Sequence, residues 1–306
     1  MRNIKYLLSY IDLKMPLHKK KIDIILANKD IFFIQELESF LADYSRYLEA
    51  NNLSIDYGLD AYIKMVKDMI KCQIKFMRTG NYPVSNLSNT IADVYNNKEA
   101  MLSYMIGLAL SQYLWESHYK ILQHFRTALI DNKENIKKYI EIGPGHGLFL
   151  RHAITNLDPG VDFVTVDISR TSLEISKSII EHAVPDKEVR YINKDILSLE
   201  NDQQYDFILM GEVLEHVEQP ELLLRKIHDS MATNGKAFLS TCVNCPAIDH
   251  LYHFKSVDDI RSLFNDCGLE IESETVVPVE NLPMEEIVKK KITINYSALV
   301  NRKKYD

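Results

Sequence analysis

The sequence predicts an α/β protein: a parallel β-sheet covered by helices on both faces, preceded by an all-helical segment. At 306 residues and 46% hydrophobic composition, the chain is long enough to bury a core and to form two units. Residues 1–130 show apolar side chains only at helical spacing, whereas from Tyr139 onward short β-rich runs alternate with helical ones. We therefore expect a helical domain over 1–130 and an α/β domain over 136–306.

The N-terminal part is predicted to be helical throughout. Residues 31–50 and 57–77 place apolar side chains at intervals of three and four, which is typical of a helix with one buried face. Residues 79–90 combine Gly, Pro, Ser and Asn and predict a loop. A third helical stretch follows over 98–129, and the polar residues 131–138 are expected to join it to the α/β domain.

The second part alternates strands and helices in the order that is typical of a parallel sheet. Its fourth helix should begin at Ser256, which can cap the first turn, and should end before Gly268. The predicted strands are 138–143, 162–169, 189–196, 205–213, 235–242, 270–279 and 291–302, and the predicted helices are 148–157, 172–183, 220–231 and 256–268.

The charge and hydropathy of the chain favour a small-molecule partner. The net charge is -7, with +3 over residues 1–130 and -10 over the remainder, so we expect no binding to nucleic acid or to a membrane. No apolar run approaches the roughly 20 residues of a membrane span, and the opening residues lack the features of a signal peptide. We therefore expect a cytoplasmic protein.

The cysteines do not predict a disulfide framework. There are four, Cys72, Cys242, Cys245 and Cys267, which agrees with a reducing compartment. Cys242 and Cys245 form a CxxC pair, but the sequence offers no second pair and its histidines are distant. We interpret the pair as small residues in a loop at a strand end, and we do not expect a zinc site.

A glycine-rich segment, residues 141–147 (EIGPGHG), follows the first predicted strand and precedes a helix. Its glycines let the backbone turn sharply and let a ligand approach closely. Asp167 ends the second strand, 24 residues after Gly143, where a carboxylate can bind both ribose hydroxyls of an adenosine-containing cofactor. Asp195 ends the third strand and can accept from an adenine amino group. Because ligands of open α/β sheets lie across the carboxyl ends of the strands, Glu141, Asp167 and Asp195 should face one crevice.

These motifs resemble those of the class I S-adenosylmethionine-dependent methyltransferases. EIGPGHG, VTVDIS, NKDI and YDFILMGEVLEHV match the motifs of that family in order and spacing over residues 137–275, whereas GPGHG lacks the second gap of the GxGxxG of nicotinamide dehydrogenases. The resemblance implies a Rossmann-like sheet of seven strands with the last one antiparallel, S-adenosyl-L-methionine as cofactor and S-adenosyl-L-homocysteine as product. The cofactor contacts that it implies are Glu141, Gly143, Pro144, Gly145, Gly147, Asp167, Ile168, Asp195, Ile196, Gly211 and Glu212.

The segment after the fourth strand, GEVLEHVEQP, meets the methyl acceptor in this family and supports three interpretations. Glu212, Glu215 and His216 can pack and hydrogen-bond locally, or His216 can act as a general base towards an O–H or N–H acceptor. Alternatively, the three can hold a divalent cation, as the similar Glu-x-x-Glu-His of small-RNA 2'-O-methyltransferases and ubiquinone-pathway O-methyltransferases does, with His250 or His253 completing the site. We expect no metal, and the candidate catalytic residues are Glu212, Glu215, His216, His250 and His253.

Two further segments are candidates for binding the acceptor. The polar cluster in PAIDHLYHF follows the fifth strand at the same edge of the sheet, although its histidines can equally be solvated. The aromatic helix around Trp115 can equally be core, but appended N-terminal helices commonly cap the acceptor site in this family. The candidate acceptor-binding residues are Trp115, His118, Tyr119, Asp249, His250 and Tyr252.

The sequence thus predicts a methyltransferase in which residues 1–130 form a lid over a small organic acceptor, such as a secondary metabolite or a modified amino acid. The methyl group would go to an O, N or activated C atom that the sequence does not specify. Two alternatives stay open: a metal-dependent 2'-O-methyltransferase of small RNA, which the negative charge disfavours, and a non-catalytic protein that binds the cofactor. A homodimer also stays open.

Overall fold

The N-terminal part of the chain is helical, as predicted. The computed structural model describes residues 2–82, 97–200 and 204–303, so most of the predicted loop at 79–90 lies outside the described residues. The helices of this part are α1 (Arg2–Lys14), α2 (Pro16–Ala27), α3 (Ile31–Ala50), α4 (Ile55–Thr79), α5 (Lys98–Leu114) and α6 (Glu116–Asn132).

The predicted third helical stretch, 98–129, is divided into two helices. Trp115 has extended backbone angles (φ -115°, ψ 125°), which end α5 and begin α6. The Trp115 Nε1–H donates to the hydroxyl of Tyr62 on α4 (2.9 Å) and fixes the corner. The apolar periodicity continues on both sides of Trp115, so the sequence pattern gave no sign of the break.

The sheet has seven strands in the order β3-β2-β1-β4-β5-β7-β6. Strand β7 is antiparallel to both of its neighbours, and the pairs among the first five strands are parallel. The predicted seven-stranded sheet with an antiparallel last strand is therefore confirmed. The strands are β1 (Lys138–Ile142), β2 (Asp162–Asp167), β3 (Arg190–Asn193), β4 (Tyr205–Gly211), β5 (Met231–Val243), β6 (Leu269–Pro278) and β7 (Ile294–Arg302).

Within residues 138–200 and 204–303, five further α-helices accompany the sheet. The predicted start at Ser256 is confirmed: its hydroxyl accepts from the Asp259 N–H and the Asp259 carboxylate accepts from the Ser256 N–H, both at 3.1 Å. Gly268, with φ of 78°, follows the end of that helix. The helices are α7 (Leu148–Asn156), α8 (Arg170–Ala183), α9 (Pro220–Ser230), α10 (Val257–Asp266) and α11 (Met284–Lys289).

The two faces of the sheet support two apolar cores, because alternate residues of each strand point to opposite sides. On β1, Tyr139 belongs to the core shared with the N-terminal helices, whereas Ile140 belongs to the core on the other face. Helix α6 lies on the first face: the Phe125 ring is 5.4 Å from that of Phe238 on β5, and His124 Nδ1 is 2.8 Å from the Ser297 hydroxyl on β7. The N-terminal helices therefore form the roof over this face of the sheet.

The boundary between a domain at 1–130 and one at 136–306 stays a prediction. The core under the roof is continuous from α1 to the sheet, and Asp43 of α3 pairs with Arg151 of α7 at 2.7 Å. Within residues 2–82, 97–200 and 204–303, no helix combines the length and apolar character needed to cross a membrane.

Candidate active site

A cavity of about 490 Å³ opens at the carboxyl ends of the central strands, beneath α4, α5 and α6. Glu141, Asp167 and Asp195 all line it, so the three acidic strand ends do face one crevice. Gly147 instead begins α7 behind the wall. The other predicted cofactor-binding residues in the wall are Gly143, Pro144, Gly145, Ile168, Ile196, Gly211 and Glu212.

The glycine loop has a backbone that side chains would obstruct. Gly143, Gly145 and Gly147 have φ values of 67°, 49° and 72°, in the left-handed region that glycine adopts most easily. A Cβ on Gly143 would lie 2.8 Å from Val213 Cγ2. The Gly147 N–H donates to the Pro144 carbonyl (2.8 Å), which closes a tight turn before α7. The loop thus presents bare backbone to the cavity beside a helix N-terminus.

Asp167 is held in place by neighbouring donors. Its Oδ1 accepts from the Ser169 N–H (2.7 Å) and its Oδ2 from the Ser172 hydroxyl (2.9 Å). The Asn193 amide donates to the Asp167 carbonyl (2.9 Å), which joins the ends of β2 and β3. Burial raises the pKa of Asp167 to about 6, although the two donors oppose the rise. Asp195 is exposed, and its Oδ1 accepts from the Leu197 N–H (2.9 Å).

Several side chains near the glycine loop have pKa values shifted towards their uncharged forms. Burial raises the pKa of Glu141 to about 8, while the Tyr139 hydroxyl donates to its Oε2 (2.9 Å). Burial lowers the pKa of His146 to about 3 and that of His118 to about 4. His118, which lines the cavity as predicted, lies 2.8 Å from the Ser111 hydroxyl. With these lowered pKa values, neither His146 nor His118 adds positive charge to this part of the wall.

The turn after β4 carries two acidic side chains into the cavity wall. Glu212 has a φ of 54°, an uncommon conformation for a residue with a side chain, and accepts from the Ser240 hydroxyl (2.7 Å). Burial, with the neighbouring Glu215, raises the pKa of Glu212 well above its ordinary value. Glu215 is buried and accepts from the Thr241 hydroxyl (2.7 Å). Both acidic residues are thus tied to β5.

His216 and His250 come together in the cavity wall. Their rings are 4.7 Å apart in a T-shaped arrangement. His216 Nδ1 lies 3.0 Å from the Asp249 carbonyl oxygen and 3.4 Å from its carboxylate. Burial opposes protonation of His250, but its contact with Cys245 outweighs burial and raises the pKa of His250 to about 10. The hydrogen bond from Cys242 lowers the pKa of Cys245 to about 6.

Besides Gly147, four predicted residues lie outside the cavity wall. His253 bonds to Asn244 Oδ1 (2.8 Å) and stacks on Tyr82, with 4.6 Å between the ring centroids. Tyr252 packs on Phe254, with 4.7 Å between the centroids. Trp115 fixes the corner between α5 and α6, and Tyr119 packs against Phe33 in the roof core (4.6 Å). Their aromatic character reflects packing, and of the two candidate imidazoles of the loop it is His250 that reaches the cavity. The predicted residues that the turn after β4 and the loop after β5 bring to the cavity wall are Glu212, Glu215, His216, Asp249 and His250.

The roof contributes residues that sequence reasoning missed. Helix α5 is apolar on most of its circumference, so its pattern did not reveal which side faces a cavity. Gln112 is buried within it. An amide side chain in such an apolar helix was the feature of the sequence that could have pointed to a cavity. The roof residues in the cavity wall that the sequence analysis did not name are Met69, Met101, Tyr104, Met105, Leu108, Gln112 and Ile121.

Three buried oxygen atoms of the wall are unsatisfied. Gln112 Oε1, Asp249 Oδ1 and Asn295 Oδ1 have no hydrogen-bond partner among the described residues. Buried polar atoms of this kind are costly unless a ligand or water pairs with them. All three are acceptors, so a bound molecule would have to supply donors.

The chain resembles known methyltransferases in sequence. A family model described as "Methyltransferase domain" matches residues 114–274, just over half of the chain. The mitochondrial ubiquinone biosynthesis O-methyltransferase of Schizosaccharomyces pombe is 27% identical over 147 residues, which are 44% of this chain and 52% of the relative. The ubiquinone biosynthesis O-methyltransferase of Pseudomonas syringae pv. tomato is 27% identical over 140 residues, 44% of this chain and 59% of that protein. The chain therefore spans between half and three fifths of these relatives.

Among solved structures, the mitomycin 7-O-methyltransferase MmcR matches with a TM-score of 0.52 at 11% identity, over 77% of this chain and 67% of that one. At that identity the likeness shows a shared fold. The sheet order, the glycine loop with its acidic strand ends and the match over residues 114–274 agree, and the chain belongs to the class I S-adenosylmethionine-dependent methyltransferase family.

Proposed function

We propose that this protein transfers a methyl group from S-adenosylmethionine to an oxygen or nitrogen atom of a small, largely apolar molecule held under α4 and α5. One observation carries the proposal. The same cavity is lined by the glycine loop and Asp167 and by the paired His216 and Asp249. The residues that would hold the cofactor therefore share one cavity with side chains that can bind and deprotonate an acceptor.

The glycine loop and the acidic strand ends match the chemistry of S-adenosylmethionine, which supplies an electrophilic methyl group on a cationic sulfur. The bare backbone of the glycine loop would receive the methionine part, Asp167 the ribose hydroxyls and Asp195 the adenine amino group. His118 and His146 are neutral, so they do not repel the cation. Glu141 is the buried carboxyl that a nearby cation would favour in its charged form.

The remaining cavity wall, formed by the roof helices and Asp249, favours an acceptor with an apolar body and hydrogen-bond donors. Met69, Met101 and Met105 give an adaptable apolar wall. The unsatisfied oxygens of Gln112 and Asp249 would accept from hydroxyl or amino groups of the acceptor. Hydroxylated secondary metabolites and modified amino acids have this character, and the relatives named as O-methyltransferases support an oxygen acceptor.

His216 is the residue that we assign to proton removal. The carbonyl oxygen of Asp249 can only accept a hydrogen bond, so the contact with it places the proton of the neutral ring on Nδ1 and the lone pair on Nε2. A lone pair on Nε2 can take the proton of an acceptor hydroxyl as the methyl group is transferred. Asp249 holds the ring in this tautomer, so it acts as a positioning residue for His216.

The test is methyl transfer from radiolabelled S-adenosylmethionine to pools of hydroxylated aromatic compounds, amino acids and cell-extract metabolites, followed by mass spectrometry of the labelled product. We expect label in a small-molecule fraction and its loss in Asp167→Ala. Cofactor binding without label in any small-molecule pool would contradict the proposal, and so would label that appears only in RNA.

A further inference from the structure

Two cysteines and a histidine form a buried cluster where β5 enters the loop that follows it. One side-chain atom each of Cys242, Cys245 and His250 lies within 4.8 Å of the others. Cys242 Sγ is 3.9 Å from both His250 Nδ1 and Glu215 Oε1. The loop folds back because the Leu251 N–H donates to the Glu215 carbonyl (2.7 Å). This fold brings a histidine to the CxxC pair, which the sequence analysis treated as lacking one.

We propose that Cys242, Cys245 and His250 bind a divalent cation of the zinc class. Two thiolates and an imidazole are the ligands that Zn²⁺ prefers over harder cations such as Mg²⁺. In a tetrahedral centre with Zn–S of about 2.3 Å and Zn–N of about 2.0 Å, the ligand atoms are roughly 3.5–3.8 Å apart. The 3.9 Å separation of Cys242 Sγ and His250 Nδ1 is close to that range.

The ligand set is neutral once the cation is bound, which suits a buried position. All three residues are buried, with at most 7% of their surface exposed. Two thiolates balance the charge of Zn²⁺, whereas the same thiolates alone would be costly to bury. In the structure His250 Nδ1 lies 2.6 Å from the Cys245 carbonyl oxygen. Coordination through that nitrogen would replace this hydrogen bond, and coordination through Nε2 would retain it as the support typical of metal-bound histidines.

The fourth coordination position would face the acceptor. Cys245 and His250 line the cavity, whereas Cys242 lies behind them. Three protein ligands with one open position are typical of catalytic zinc sites rather than structural ones. A hydroxyl of the acceptor would take that position; Glu215, whose Oε1 is 3.9 Å from Cys242 Sγ, lies beside the cluster. This role rests on the proposed function, whereas cation binding itself does not.

The neighbouring acidic groups offer a competing site of different chemistry. Glu215, His216 and His250 also lie within 4.8 Å of one another, and a cation held there would not need the thiols. The carboxylate of this site, that of Glu215, already accepts from the Thr241 hydroxyl of β5. The thiol cluster is the one whose two sulfur atoms and imidazole match the ligand preference of the zinc class.

The cation is tested by its content and its spectrum. We expect about one zinc per chain in the purified protein by mass spectrometry. After chelation, Co²⁺ should bind with the intense near-ultraviolet absorption of a thiolate-to-cobalt charge transfer. Loss of an outer contact of a metal ligand typically costs about 10- to 100-fold in affinity. Loss of a ligand itself should cost more, so we expect Cys242→Ser and Cys245→Ser each to weaken Co²⁺ binding by more than about 100-fold.

Cys267→Ser is the matched control, because Cys267 is a buried thiol in the opposite core whose Sγ donates to the Glu221 carbonyl (3.7 Å). It should bind Co²⁺ like the wild type. The absence of a thiolate band in the wild type would overturn the proposal whatever the variants do. So would cation binding that survives both serine variants and is lost in Glu215→Gln. Calorimetry with S-adenosylhomocysteine, which needs no cation and no methyl acceptor, tests the cofactor site separately.

Discussion

Replacing Asp167 with asparagine should weaken cofactor binding while stabilising the protein without cofactor. Ser169 and Ser172 each use one lone pair of the carboxylate, which has about four, so positions for two ribose hydroxyls are left. A hydrogen bond to a charged group contributes about 1.5–3 kcal/mol, and asparagine loses the charge in both bonds and the acceptor in one. We expect a loss of about 2–3 kcal/mol, or roughly 30- to 150-fold in Kd.

The change in stability has the opposite sign and depends on pH. Burial raises the pKa of Asp167 to about 6 from an ordinary value of 3.8. Between these values the unfolded chain is ionised and the folded protein is not, so the contribution of Asp167 to stability falls as pH rises and stays low above pH 6. Two pKa units correspond to about 3 kcal/mol. Because Asp167 is partly exposed, we expect asparagine to recover roughly 1–2 kcal/mol at pH 8 and less at pH 5.

Calorimetry with S-adenosylhomocysteine at pH 8 measures the first effect, and urea unfolding of the ligand-free protein at pH 5 and pH 8 measures the second. Asp162→Asn is the matched control, because Asp162 begins the same strand, is exposed and pairs with Arg190 (3.2 Å). It should leave cofactor affinity unchanged. Wild-type affinity in Asp167→Asn would refute the ribose assignment. A lower stability of that variant at pH 8 would refute the burial argument.

Three further predictions concern the loop, the base and the roof. Gly143→Ala should lower the free energy of unfolding by more than about 2 kcal/mol and abolish cofactor binding, because the new Cβ would lie 2.8 Å from Val213 Cγ2. The control Gly80→Ala has a similar φ but open space around the new Cβ, so it should lower that free energy by only about 1–2 kcal/mol. His216→Gln should lower kcat at least 100-fold while calorimetry shows unchanged S-adenosylhomocysteine affinity, and a large affinity loss would make it a structural residue. Gln112→Leu removes an unsatisfied buried oxygen, so it should raise the free energy of unfolding by about 1 kcal/mol and raise KM for the acceptor; an unchanged KM would place the acceptor elsewhere.

The fold, the glycine loop and the acidic strand ends could be predicted from the sequence because local patterns determine them. Strand alternation, the cap at Ser256 and the glycines before α7 each depend on neighbours along the chain. The placement of the side chains proposed to bind the acceptor depends instead on contacts between distant segments. His250 and His253 are three residues apart in one loop. Distant contacts separate them: the Glu215 carbonyl accepts from the Leu251 and Tyr252 N–H groups, and His253 bonds to Asn244 and stacks on Tyr82. Gln112 was missed because its helix is apolar on nearly every side.

The double hydrogen bond at the Glu215 carbonyl has an evolutionary consequence. It attaches the loop that carries Asp249 and His250 to the turn that carries His216, so a substitution that displaces one displaces all three. Such a change would abolish turnover at once and leave little intermediate function for selection to act on. The side chains of α4 and α5 that face the cavity, such as Met69 and Met101, belong to elements separate from this turn and loop. Divergence towards new acceptors should therefore accumulate in those two helices, while the turn and the loop change together or not at all.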